Sequence, residues 1–176
     1  MAQAQGDDVD EVRWLDAEEQ VAWRHLLFGT NLLMDRLSTV LEQDPEIDLT
    51  LAEYEILVRL SEGEGHRRRM SELADEIVHS RSRLTHTVGR MEKRGLLSRQ
   101  RCSADGRGRE AVLEPAGMAL LEHAAPRHAA SVRRYLLDVI GREDLLTLGR
   151  IFSRTIEVPS GECFPSPSSS QVPLVR

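Results

Sequence analysis

Five polar side chains recur within one short stretch of this chain: Arg81, Ser82, Thr85, His86 and Arg90. If the stretch is a helix, Leu84, Val88 and Met91 share one face and leave these five on the others. Guanidinium, hydroxyl and imidazole groups donate hydrogen bonds to phosphate oxygens and base edges, so this is chemistry of recognition rather than of bond breaking. Another arginine, Arg107, lies in the run Ser103-Ala-Asp-Gly-Arg-Gly108, where Asp105 and Gly106 form the Asp-Gly step of a tight hairpin turn.

No pattern of catalysis competes with that reading. The chain has no nucleophile elbow, phosphate-binding glycine loop or Cys/His pair, and Gly106 and Gly108 are accounted for by the turn. His25, His66, His79, His123 and His128 do not fall at a metal-ligand spacing, so neither metal nor other cofactor is expected and the chain does not read as an enzyme. Cys102 and Cys163 are too few and too far apart for a disulfide framework, which fits reduced thiols. Cys102 follows Arg101 and has two readings, a small buried residue or a redox-responsive thiol activated by positive charge.

The distribution of charge narrows the partner. The net charge of 176 residues is -6, yet from His66 to Arg109 twelve Lys and Arg face five Asp and Glu, while the remainder holds 11 bases against 24 acids. A basic middle between acidic flanks is the footprint of a chain that meets phosphate with one part only. Few aromatic residues, three Phe, two Trp and two Tyr, disfavour a stacking platform for single strands and leave duplex. No run approaches the roughly 20 apolar residues of a membrane span, and the acidic start MAQAQGDDVDEV is unlike a signal peptide. A cytoplasmic location is expected.

These side chains must be held by a mainly helical frame. Trp23, Leu26, Leu27, Leu33, Met34, Leu37, Val40 and Leu41 recur at three- and four-residue spacing, which predicts a long amphipathic helix ending before Pro45. Thr50-Leu-Ala-Glu53 is a capping box for a second helix, which the glycines of Ser61–Gly65 stop. Met70–Ile77 predicts a short third helix, and Ser80 to about Arg94 a fourth, in which Ser80 either caps or also donates to phosphate; Gly95 closes it. Leu96–Cys102 and Glu110–Leu113 predict a hairpin. A fifth helix starts at Pro115 and should be kinked or interrupted at Pro126; a sixth covers Glu143–Ile156. Residues 1–13 read as a flexible acidic arm and 157–176, rich in Pro and Ser, as a disordered tail. The Arg67–Arg69 run is either a solvated surface or a phosphate contact.

Helix, turn, helix and hairpin in succession are what a protein needs to set one helix into the major groove and a basic loop beside it. The strings Met70-Ser-Glu-Leu-Ala-Asp-Glu76, Ser80-Arg-Ser-Arg-Leu-Thr-His86, Arg90-Met-Glu-Lys-Arg-Gly-Leu96 and Asp105-Gly-Arg-Gly108 together resemble the multiple antibiotic resistance regulator (MarR) family over about residues 14–156. The resemblance implies a winged helix-turn-helix at about 50–113, with residues 14–45 and 115–156 forming dimerisation helices. It further implies a homodimer on a near-palindromic DNA operator, transcriptional repression, and release by a small anionic aromatic effector. Ser82, Thr85, His86 and Arg90 match exposed positions of the family's recognition helix, Arg81 its start, and Arg107 its wing-tip arginine; Asp105, Gly106 and Gly108 match the wing turn.

Trp23 and Phe28 are candidates either for an effector crevice or for core and dimer interface. The family's usual Leu-Thr-x-x-Gly junction is Leu113-Glu-Pro-Ala-Gly117 here, so the threonine cap is gone. A second reading of the same composition is a helical dimer that works through protein partners, its basic segment giving only nonspecific affinity for DNA.

Overall fold

The Thr50-Leu-Ala-Glu53 box forms as the spacing predicts, and it starts the helix around which the core is built. In the computed structural model, which describes residues 13–77, 81–101 and 108–156, Thr50 accepts from the Glu53 N–H at 3.2 Å while Glu53 accepts from the Thr50 N–H at 3.0 Å. The helix so capped, Leu51–Glu62 (α2), buries Tyr54, Ile56, Leu57 and Leu60. It follows a long helix, Ala17–Glu42 (α1), whose start is fixed by a second capping box, Asp16 with Glu19.

After α2, a 3-10 turn (Glu64–His66) leads into strand β1 (Arg67–Arg69), helix α3 (Met70–Glu76) and helix α4 (Arg81–Lys93). Strands β2 (Leu97–Arg101) and β3 (Arg109–Leu113) pair antiparallel, and β1 joins β3 on its other edge, giving the order β1-β3-β2. The arginine run is therefore a strand, which its sequence did not suggest. Its side chains are engaged: Arg67 lies 3.9 Å from Glu110, and Arg68 lies 3.5 Å from Glu76 and donates to the Arg59 carbonyl.

Helix α5 (Pro115–Val132) packs against α1 and α2. Its N-terminal Glu114 makes no side-chain capping bond, as the missing threonine implies, but Gly117 lets it approach closely. A Cβ on Gly117 would lie 2.1 Å from the Leu96 carbonyl oxygen and 2.8 Å from Leu113. Of the expected kink or interruption at Pro126, the interruption does not occur: Pro126 and Glu122, whose carbonyl loses its donor, both lie on the exposed side, where water can satisfy the carbonyl. The irregularity comes later, as a single π turn at Arg133–Leu137.

The described chain divides into two compact units, 13–135 and 136–156. The first holds the core, with Leu41, Ile47, Leu57, Leu73, Val88 and Met91 among its fully buried side chains. The second is helix α6 (Asp138–Ile156), broken at Gly141 just before the expected start of its regular part, with Val139, Leu146, Ile151 and Phe152 exposed.

One of the readings of the α1 aromatics, core within the chain, changes. Only Leu37 and Leu41 of its apolar residues are buried, whereas Trp23 and Phe28 are 51% and 69% exposed. They are not core within one chain: every residue of 17–29, the N-terminal half of α1, is exposed.

Candidate nucleic-acid interface

Helix α4 is fastened by one face. Leu84, Val88 and Met91 are buried, joined by Thr87, while Ser82, Arg83, Thr85, His86 and Arg90 are exposed. The periodicity thus identified both faces, and it places Arg83 on the polar side too, three residues before His86 and seven before Arg90. The sequence reading left Arg83 out, though that spacing was available to find it. The helix ends at Gly95, whose φ of +71° is the left-handed conformation of a C-terminal turn, and Leu96 donates back to the Met91 carbonyl at 3.1 Å.

Two carboxylates hold α4 to its neighbours. Glu53, only 4% exposed at its side chain, accepts from Arg90 Nη2 at 3.1 Å and lies 3.7 Å from Arg94 Nη1. Arg94 Nη2 also donates to the Asp48 carbonyl at 2.9 Å, so α4 is tied to the start of α2 at two points. On the other side Glu92 accepts from the backbone and side chain of Arg99, which joins α4 to β2. The hydrogen-bonding Arg99 side chain holds the Glu92 carboxyl below the usual carboxylate range.

Arg101 at the end of β2 and Arg109 at the start of β3 are exposed, so the hairpin carries positive charge out from the sheet. Gly108 is half-buried at the foot of β3. Asp105, Gly106, Arg107 and Cys102, together with Ser80 and the side chain of Arg81, lie outside the described residues. Among the described residues no three His, Cys, Asp or Glu side chains are grouped to hold a metal ion, and no helix is long and apolar enough to cross a membrane.

A cleft of about 510 Å³ opens between α2, the end of α3 and α5, lined by Tyr54, Val58, Arg59, Ile77 and His128 together with Glu55, Glu62 and Glu76. The His128 ring lies 4.4 Å from that of Tyr54, and its buried Nδ1 has no hydrogen-bond partner among the described residues. Burial pushes its pKa down, because charging the imidazole there would forfeit water. Trp23 and Phe28 do not line this cleft, so the structure does not bring the two aromatic candidates to it.

Comparison with known proteins adds to this geometry. Residues 47–108, from the loop before α2 to the hairpin, match the MarR family. The chain is similar to AbsC, a MarR family transcriptional regulator from Streptomyces coelicolor, with 43% identity, a TM-score of 0.76, and coverage of 83% of this chain and 97% of AbsC. It is also similar to Sco3205, a MarR family regulator from the same organism solved in complex with DNA. There the identity is 39% and the TM-score 0.80, with 86% and 94% of the two chains covered. At 16% identity it shares the fold of BpsR from Bordetella bronchiseptica (TM-score 0.70, 84% and 100% covered), whose DNA binding is regulated by 6-hydroxynicotinic acid. No curated protein matched the chain.

Proposed function

This chain belongs to the MarR family of DNA-binding transcriptional regulators, and we propose that it acts as a homodimeric repressor that reads a near-palindromic duplex and is released by a small molecule. The observation that carries the DNA reading is the two-sided α4. Its apolar face is buried, and its polar face lies beside a basic hairpin in a chain 39% identical to one solved with DNA.

In this reading Ser82, Thr85, His86 and Arg90, with Arg81 at the helix start and Arg83 added, face bases and phosphates of the major groove. Arg107 reaches the minor groove from a turn shaped by Asp105, Gly106 and Gly108. Two-fold symmetry would set the paired helices about 34 Å apart, one turn of duplex. The uncovered apolar residues of α1 and α6, Trp23, Phe28, Leu146 and Phe152 among them, support a second copy as their cover.

Effector control is supported by the Tyr54–His128 cleft, which lies against α2 and the end of α3, the elements that support α4. An anionic aromatic compound would stack on its rings and meet Arg59, although three glutamates line the same cleft.

The test is titration of the purified protein with labelled duplex from the DNA flanking its own gene against excess random duplex. Specific binding should exceed nonspecific binding by about a thousandfold or more. Complete loss to the competitor would favour action through protein partners, with DNA affinity incidental.

A further inference from the structure

We propose that Glu53 is a positioning residue for DNA binding: from the first turn of α2 its buried carboxylate sets the guanidinium groups of Arg90 on α4, and of Arg94 in the turn that ends it, for phosphate. The inference rests on the reading of α4 as the DNA-facing helix. Its basis is that Glu53 does more than cap its own helix.

One oxygen, Oε2, accepts from the Thr50 N–H at 3.0 Å and the Thr50 hydroxyl at 3.1 Å, which fixes the carboxylate to the helix start. The other, Oε1, is left for Arg90, 37 residues away in the chain, at 3.1 Å. Arg94 approaches Oε2 at 3.7 Å and is held a second time by the Asp48 carbonyl. A glutamate side chain 4% exposed thus anchors arginine side chains that are 50% and 35% exposed.

A guanidinium has five N–H donors, and Glu53 engages only one from Arg90, so the group can be held by protein on one side and meet a phosphate on the other. A free arginine loses rotamer freedom when it takes a phosphate, whereas one already restrained loses less. Opposing this, a negative charge near the interface lowers the attraction for DNA. Replacing the carboxylate by an amide would alter both effects together, so geometry must be varied at constant charge.

Glu53→Asp does so, because it keeps the charge and withdraws the carboxylate by one methylene, about 1.5 Å. The probe is a labelled mixed-sequence duplex of about 30 base pairs at low salt, where phosphate contacts dominate. We expect Glu53→Asp to weaken binding roughly three- to thirtyfold and to flatten the slope of log K against log salt by about one contact, or ~0.9. In an Arg90→Gln, Arg94→Gln background the same substitution should have no further effect. A merely structural role would leave the salt slope alone and persist in that background.

Unchanged affinity in Glu53→Asp, or an equal loss in both backgrounds, overturns the proposal. Absence of salt-dependent binding by the unaltered protein overturns instead the DNA reading beneath it. If Glu53→Asp does not fold, Arg90→Lys tests the same contact from the other side. Its loss of affinity should shrink at least threefold when Glu53→Gln is already present, and an undiminished loss overturns the proposal.

Discussion

Arg99 of β2 encloses the carboxylate of Glu92 on α4: its backbone N–H donates to Oε1 at 3.1 Å, while Nε and Nη2 donate to Oε2 at 2.9 and 2.6 Å. The hairpin is thereby fixed to the helix that precedes it by a charge-assisted fork as well as by the chain between them. Both side chains are partly exposed, at 26% and 34%, so water screens the attraction, and about 0.5–1 kcal/mol is a reasonable contribution.

Acid should remove that contribution. The folded carboxyl titrates below its unfolded counterpart, so the stabilisation is complete above about pH 4.3 and is lost as pH falls through the lowered folded value. Urea denaturation of Glu92→Gln and the unaltered protein should therefore give curves that differ near neutrality and converge in acid. A constant difference across that range would remove charge from the account.

Gly117 makes a steric prediction. A methyl group there would meet the Leu96 carbonyl oxygen at 2.1 Å, a backbone atom that cannot rotate away, so α5 would have to lift from the junction of α4 and β2. Gly117→Ala should cost about 2 kcal/mol or more, although alanine is the better helix former by up to about 1 kcal/mol. Chemical denaturation that shows equal or greater stability would mean the close approach is not made.

His128 links folding to pH in the range of ordinary buffers. Because burial lowers its folded pKa, the neutral ring's contribution is fully present above the unfolded value of about 6.5. It is lost as pH falls through the folded value, since the unfolded chain takes up the proton first. His128→Phe keeps an aromatic ring against Tyr54 and cannot titrate, so it should flatten the fall in stability below about pH 6.5. An unaltered slope in the variant would assign the dependence to other groups.

Legibility in the sequence followed the range of the forces involved. The α2 cap is an exchange within Thr50–Glu53, and the buried face of α4 is a repeat within Leu84–Met91, so both could be read locally. Strand β1 could not, because three consecutive arginines have no alternation and become a strand only through pairing with β3. The engagement of Arg90 by Glu53 was hidden for the same reason: it depends on two helices meeting, not on spacing in either. Position on the helix made Arg90 a candidate for contact with DNA, and its bond to Glu53 within the fold could not be read from that position.

The exposed aromatics of α1 give a prediction about assembly. Trp23 at 51% and Phe28 at 69% exposure are large exposed apolar groups, and neighbouring Leu26 and Leu27 are 44% and 48% exposed. Burial of aromatic surface of this kind against a second copy is where association energy concentrates, so introducing charge there should be far more costly to a dimer than to an isolated chain. Sedimentation of Trp23→Glu, Phe28→Glu should show a dimer dissociation constant raised at least about tenfold. Duplex affinity should fall along with assembly, since a monomer retains only one of two half-site contacts. A variant that sediments as the unaltered protein does would place the copy-to-copy contact elsewhere, and a monomeric unaltered protein would remove the paired-helix geometry from the proposed function.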